Sequence, residues 1–82
     1  MICMYTVYIL LCADGSLYTG ITNDVEKRLE AHKNGTGSRY TRAHGAVKIV
    51  YTERKRGRGR ASQREAEIKK MSRVEKLELI AG

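Results

Sequence analysis

The sequence predicts an α+β fold, in which a three-stranded, mainly antiparallel sheet is flanked by helices. Two segments rich in β-branched, aromatic and aliphatic residues, 5–11 and 16–22, are separated by Ala13-Asp14-Gly15, which is the pattern of a β-hairpin. Helical patterns with capping residues follow the hairpin and return at the end of the sequence. A length of 82 residues suffices for one hydrophobic core and not for two, so we expect a single domain over 1–82.

Composition excludes several classes of protein. Hydrophobic residues make up 41% and charged residues 30%, which argues against both a disordered chain and a membrane protein. The apolar stretch 7–12 is too short to cross a bilayer and has no basic residue before it, so we expect a cytoplasmic protein. Cys3 and Cys12 are then expected to be free thiols. Together with His32 and His44 they match no zinc-ligand spacing.

The basic residues are unevenly distributed. The net charge is +7, and all 16 Lys and Arg residues lie between Lys27 and Lys76. Such an excess attracts polyanions because binding releases counterions from a phosphate backbone. A solvated basic surface would have the same composition, so charge indicates nucleic acid as the class of partner and says nothing of the chemistry.

The length of the hairpin loop decides which side chains share a face of the sheet. A two-residue loop would place Tyr8 and Tyr18 on opposite faces. A three-residue loop over 13–15, with Gly15 in the left-handed conformation, pairs Tyr8 with Gly20 and brings both tyrosines to one face. Gly20 then leaves open space across from Tyr8, and we favour this register.

A helix over 24–33 is expected next. Asn23 can cap its first turn, and the glycine-rich segment 34–37 ends it. Arg28 and His32 are four residues apart and are therefore neighbours on its surface.

Three further segments precede the last helices. Segment 40–42 is short and ambiguous, whereas 47–51 alternates with the period of a strand and should supply the third one. Segment 54–60 combines two glycines with a run of basic residues, which indicates a mobile loop that holds nucleic acid. Its basic residues are Arg54, Lys55, Arg56, Arg58 and Arg60.

Two short helices are expected at the end of the sequence. Ser62 and Ser72 each begin a Ser-x-x-Glu pattern, the form of a capping box. The apolar residues that should cover one face of the sheet are Ala61, Ile68, Met71, Val74, Leu77 and Ile80.

Two short tyrosine motifs lie on the two strands of the expected hairpin, Thr6-Val7-Tyr8 on the first and Tyr18-Thr19-Gly20 on the second. Three side chains on the later helices follow them in order: Arg28, His32 and Glu65. This ordered set resembles the GIY-YIG nuclease family over about 5–80, in particular its small stand-alone bacterial branch, with the leading Gly of the first motif and the Ile of the second replaced.

This resemblance implies a metal-dependent endonuclease without a small-molecule cofactor. Tyr8 or Tyr18 would activate the water, a role that needs nearby cations because the ordinary pKa of tyrosine is about 10. Arg28 would hold the scissile phosphate through its planar fork, and His32 would transfer a proton or contact phosphate. Glu65 would supply a hard oxygen ligand to Mg²⁺ or Mn²⁺.

Each residue also has an ordinary structural explanation. Tyrosines are common in strands, Arg28 could pair with Asp24 at helical spacing, and His32 lies near a helix C-terminus. Glu65 has a structural explanation in the capping box with Ser62. Glu67 is a rival metal ligand.

The function and the partner predicted from the sequence therefore each have an alternative. A non-catalytic nucleic-acid-binding module on the same fold is the second interpretation, and turnover with added metal separates the two. DNA is the first expected partner, while RNA, the substrate structure and a protein partner for targeting stay open. The family often carries an Asn after the metal glutamate, and this sequence has no Asn there. Larger members of the family also add a separate DNA-binding domain, which we do not expect within these 82 residues.

Overall fold

The computed structural model describes residues 3–82. Its elements are β1 (Met4–Cys12), β2 (Leu17–Thr22), α1 (Val25–Lys33), α2 (Arg39–His44), β3 (Ala46–Arg56), α3 (Arg58–Lys69) and α4 (Arg73–Ala81). The three strands form one antiparallel sheet in the order β2-β1-β3. The predicted α+β fold, a three-stranded antiparallel sheet flanked by helices, is confirmed.

The β1–β2 hairpin has the three-residue loop that the sequence favours. Gly15 has a φ of 85°, and its backbone N–H donates to the Cys12 carbonyl at 2.9 Å. The Cys12 N–H donates in turn to the Ser16 carbonyl at 2.9 Å, which sets the register so that Tyr8 pairs with Gly20. Because side chains alternate along a strand, Tyr8 and Tyr18 share one face of the sheet.

The two faces of β1 have different partners. Val7 and Ile9 are fully buried and pack with Ala61 and Ile68 of α3 into the hydrophobic core. Strand alternation directs Tyr8 to the opposite face, where it meets α1. The central strand is thus covered on both sides, which places the first tyrosine motif in the interior.

Helix α1 confirms the predicted helix, although its cap differs from the expectation. The N-cap is Asp24 and not Asn23, because the Asp24 side chain accepts a hydrogen bond from the Lys27 backbone N–H at 3.1 Å. Thr22 orders this turn, since its hydroxyl accepts from the Asp24 N–H at 3.0 Å and donates to the Asp24 carbonyl at 3.1 Å. The carboxylate that could have paired with Arg28 therefore serves the backbone of α1.

The ambiguous segment 40–42 lies within helix α2. Ser38 caps this helix, and its hydroxyl accepts a hydrogen bond from the Thr41 N–H at 3.1 Å. The helix ends at Gly45, which has a φ of 77°.

The prediction of a mobile basic loop over 54–60 is wrong. The third strand continues to Arg56, well beyond the expected 47–51, because it pairs with the first residues of β1, where Met4 faces Arg56. Gly57, with a φ of 81°, makes the turn, and α3 begins at Arg58. The five basic residues of this segment therefore lie on a strand and on the first turn of a helix.

The early start of α3 also overturns the expected capping box at Ser62. Ser62 and Glu65 lie inside the helix, whose N-cap is Gly57, so Glu65 has no capping role. The second box is confirmed, since Ser72 and Glu75 exchange backbone and side-chain hydrogen bonds of 2.9 and 3.2 Å at the start of α4.

Helix α4 covers the core only in part. Leu79 and Ile80 of this helix pack against the core cluster, as does Met71 just before it. Val74 and Leu77, which were expected to cover the sheet, are 63% and 45% exposed, because they lie on the outer side of the helix. Across residues 3–82, none of the helices has the length and apolar character that a membrane span requires.

Candidate active site

The centre of the candidate site is a buried contact between Tyr8 and His32. The Tyr8 hydroxyl oxygen lies 2.8 Å from His32 Nε2, and each of the two residues is only 2% exposed. Tyr8 comes from the central strand and His32 from the last turn of α1, 24 residues further along the chain. A buried polar pair of this kind requires a full set of hydrogen-bond partners.

The second ring nitrogen of His32 is held by α2. His32 Nδ1 lies 2.7 Å from the Thr41 hydroxyl oxygen, and Thr41 is 1% exposed. That oxygen is in turn 2.9 Å from the Ser38 hydroxyl oxygen. The sequence analysis did not predict these two hydroxyl residues, although Ser is a preferred N-cap residue.

Two glycines make room for this pair. A Cβ atom on Gly20 would lie 2.6 Å from the Tyr8 hydroxyl oxygen and 2.8 Å from the ring carbon that carries it. A Cβ on Gly37 would overlap the His32 ring. Neither position tolerates a side chain unless the catalytic candidates shift, which explains why small residues stand there.

Tyr18 extends the aromatic cluster towards the surface. Its ring centroid lies 5.2 Å from that of His32 in an edge-on arrangement and 6.4 Å from that of Tyr8. On the outer side Tyr18 stacks with Tyr40 at 5.7 Å, and Tyr40 stacks with His44 at 4.1 Å. The side chain of His44 also contacts the Asp14 carboxylate of the hairpin loop.

The environment of Tyr8 and His32 favours their neutral forms. Burial is the main reason that the pKa of Tyr8 is raised well above its ordinary value, and Tyr18 adds to the effect. Arg28 opposes this shift in the pKa of Tyr8, whereas Glu65 reinforces it. The pKa of His32 is lowered, first by burial and then by the charge of Arg28.

Arg28 is exposed and lies at the margin of this cluster. It lines a groove of about 180 Å³ whose other residues include Tyr5, Asn23 and Arg58. Arg28 and Arg58 both line this groove. The charge of Arg28 also acts on the pKa values of Tyr8 and His32. Two guanidinium groups on one groove form a suitable site for phosphate oxygens.

Glu65 and its rival Glu67 have different surroundings. The Glu65 side chain is 22% exposed, lies 3.3 Å from Lys69 Nζ and acts electrostatically on Tyr8. The Glu67 side chain is 61% exposed and pairs with Arg64 at 3.2 Å. Of the two carboxylates, Glu65 is the less exposed and the one whose charge acts on the pKa of Tyr8.

The donor set fits Mg²⁺ or Mn²⁺ bound mainly by water and substrate. Over residues 3–82, no three His, Cys, Asp or Glu side chains come together in a cage for a metal ion. Mg²⁺ usually keeps several waters and takes one or two protein carboxylates together with phosphate oxygens. A single carboxylate such as Glu65, joined by phosphate oxygens of a substrate, would meet that requirement.

The predicted nucleic-acid-binding residues divide between two surfaces. An open groove of about 510 Å³ lies between the end of β3 and the first turns of α3. Its lining residues are Met4, Arg54, Lys55, Arg56, Arg60, Gln63, Arg64 and Glu67. Arg58 faces the Arg28 groove instead, and Lys55 is paired with Glu53 at 2.7 Å. We call the larger groove the β3 groove.

The fold and the site define a class of protein. A hairpin carries two tyrosines on one face, the next helix supplies an arginine and a histidine, and a later helix supplies a glutamate. This is the ordered set of the GIY-YIG nucleases. The GIY-YIG catalytic domain matches residues 4–78, and the chain belongs to that family.

Similar proteins support the assignment along most of the chain. A UPF0213 protein of Clostridium perfringens is 54% identical over 79 residues, covering 96% of this chain and 85% of that protein. A UPF0213 protein of Natronomonas pharaonis is 49% identical, with 92% and 88% covered. The solution NMR structure of a UPF0213 protein from Bacillus halodurans is similar with a TM-score of 0.61, at 41% identity, covering 95% of this chain and 83% of that one.

Proposed function

We propose that this protein is a cytoplasmic, metal-dependent endonuclease that hydrolyses phosphodiester bonds in DNA or another nucleic acid. The observation that carries the proposal is the buried hydrogen bond between Tyr8 and His32, at 2.8 Å. A module that only bound nucleic acid would need its basic surface, and in it this buried contact would serve the fold alone. Removing the polar pair from water costs free energy that its hydrogen bonds must offset.

Tyr8 is the proposed water-activating residue. Because burial raises its pKa, a free phenolate is rare at neutral pH. The Tyr8 oxygen therefore accepts a proton from the attacking water while its own proton passes to His32 Nε2. Tyr18 packs edge-on against His32 and shapes the opening of the site.

Arg28 and Arg58 bind the scissile phosphate in this proposal. Both line the small groove, and a guanidinium group can donate two parallel hydrogen bonds to phosphate oxygens. Arg28 also opposes the rise that burial causes in the pKa of Tyr8, so the charge that holds the substrate makes it easier for Tyr8 to pass its proton to His32.

Glu65 would hold the divalent ion. When bound, such an ion supplies charge neutralisation on the attacked phosphate and on the leaving oxygen. Lys69 pairs with Glu65 at 3.3 Å and compensates its charge in the free protein. The β3 groove binds the nucleic-acid backbone away from the reacting bond.

The first test is a cleavage screen over single-stranded, duplex, flapped and branched nucleic acids. It is carried out with Mg²⁺, with Mn²⁺ and with a chelator. We expect metal-dependent cleavage of at least one class of substrate. Salt-sensitive binding without turnover under all conditions would contradict the proposal and favour a non-catalytic binding module.

The second test replaces Arg28 with alanine. Because Arg28 stabilises charge that develops in the transition state, we expect turnover to fall by roughly 10²-fold or more while binding weakens little. Lys33→Ala is the control, since Lys33 is an exposed cation on the last turn of the same helix. Equal losses in both variants would mean that only net charge matters.

A further inference from the structure

We infer that Thr41 and Ser38 are positioning residues that hold His32 in the tautomer with its proton on Nδ1, so that Nε2 accepts from the Tyr8 hydroxyl. The role in turnover rests on the proposed function, whereas the tautomer is a property of the free protein. The inference concerns helix α2, which contributes no residue to the ordered set of the family.

The Thr41 hydroxyl can accept from His32 Nδ1 because its own hydrogen has acceptors on Ser38. This group has a single hydrogen to donate. Its oxygen lies 2.9 Å from the Ser38 hydroxyl and 3.4 Å from the Ser38 carbonyl oxygen, which can only accept. A hydrogen donated to Ser38 leaves the Thr41 oxygen as an acceptor, 2.7 Å from His32 Nδ1. In this arrangement His32 Nδ1 is the protonated nitrogen and donates to Thr41.

The opposite tautomer is disfavoured by burial. A neutral imidazole has one donor and one acceptor nitrogen, and His32 is 2% exposed, so both nitrogens depend on protein partners. With the proton on Nε2, the Tyr8 oxygen would accept from His32, and the Tyr8 hydrogen would have no acceptor among residues 3–82. Leaving a buried polar group unpaired costs about 1–3 kcal/mol.

The consequence is a directed path for one proton. As the Tyr8 oxygen takes a proton from the attacking water, the Tyr8 proton moves to Nε2 of His32. The Nδ1 proton can move to Thr41 as the Thr41 proton moves to Ser38, which is half-buried and passes its own proton to solvent. Each group gives one proton and receives one, so no charged imidazolium accumulates in the buried site.

The first experiment measures the ring nitrogens of His32 by ¹⁵N NMR in the free protein at neutral pH. We expect Nδ1 to give the signal of a protonated nitrogen and Nε2 that of an unprotonated one. In Thr41→Val the acceptor for Nδ1 is lost, and we expect the proton to move to Nε2. A wild-type protein with the proton on Nε2 would overturn the inference.

The second experiment measures cleavage kinetics and binding for Thr41→Val, Thr41→Ser and Thr52→Val. We expect Thr41→Val to lower kcat by roughly 10²-fold with unchanged binding, because base activation is lost while the phosphate contacts remain. Thr41→Ser keeps the hydroxyl and should restore most of the activity. Thr52→Val is the control, since Thr52 is an exposed β3 residue that pairs with Tyr8 in the sheet.

Thermal unfolding of each variant shows whether activity is lost because the protein unfolds or because His32 is no longer held in place. A folded Thr41→Val variant that cleaves at the wild-type rate would overturn the positioning role. If the wild type shows the Nδ1 tautomer but cleaves no nucleic acid, the tautomer assignment stands and the proposed nuclease function fails. The two ideas therefore fail in different measurements.

Discussion

Gly20 and Tyr8 face each other across the β1–β2 pair so closely that a Cβ on Gly20 would lie 2.6 Å from the Tyr8 hydroxyl oxygen. We predict that Gly20→Ala displaces this hydroxyl from His32 and abolishes most cleavage. Overpacking of this kind costs about 1–3 kcal/mol of stability. Gly59→Ala is the matched control, because a Cβ there meets no atom within 4 Å and replaces a helical glycine. Wild-type activity in a folded Gly20→Ala variant would show that the close approach is unimportant.

Glu65 and Glu67 can be distinguished by a metal titration of cleavage. Glu65→Gln keeps the shape of the side chain but gives up its anionic oxygen, so we expect half-maximal activity at a higher Mg²⁺ concentration. The lost pair with Lys69 is worth only about 0.2–0.5 kcal/mol, so stability should change little. Glu67→Gln should retain the wild-type curve. If Glu67→Gln alone shifts the curve, the metal ligand has been assigned to the wrong residue.

The β3 groove is expected to add affinity without adding catalysis. We predict that replacing Arg54, Arg56 and Arg60 with alanine makes the dependence of log K on log salt shallower, by up to about 0.9 per lost phosphate contact on duplex DNA. The cleavage rate at saturating substrate should change little. Arg73→Ala, on the exposed start of α4, is the control. An unchanged salt slope in the triple variant would remove this groove from the interface.

The burial of His32 predicts a decline in stability on the acid side. Because burial and Arg28 lower its pKa in the folded state, the unfolded chain binds more protons as the pH falls. The stabilisation is complete above the unfolded pKa of about 6.5 and is lost progressively below it. We expect the free energy of unfolding to decrease below this pH in the wild type and less steeply in His32→Gln. Parallel curves for wild type and His32→Gln would contradict the prediction.

Thr19 offers a test of the altered second motif. Its side-chain oxygen is buried and, within residues 3–82, has no hydrogen-bond partner. Since an unpaired buried hydroxyl costs about 1–3 kcal/mol, we expect Thr19→Val to raise the free energy of unfolding by up to that amount. Chemical denaturation is the measurement, with Thr52→Val as an exposed control. A stability loss in Thr19→Val would mean that the hydroxyl has a partner in solution.

Local sequence was enough to predict the hairpin, helix α1 and the second capping box. The three-residue loop with Gly15 sets the strand register through hydrogen bonds between residues close in the sequence. That Arg28 and His32 are neighbours on one helix follows from their spacing of four residues. Ser72 and Glu75 are likewise three residues apart. Interactions of this range depend on residue type and separation, both of which the sequence contains.

Only the tertiary structure decided the length of β3 and the partners of His32. Arg54 and Arg56 become strand residues because they pair with Thr6 and Met4 at the start of β1, which is distant in the sequence. The backbone hydrogen bonds of this pairing outweigh the local pattern of glycines and charges. Thr41 reaches His32 because α2 packs beside α1, a contact that no periodicity encodes. Such pairings depend on how complete elements pack against one sheet, and the free energy of that packing is not a property of any short segment.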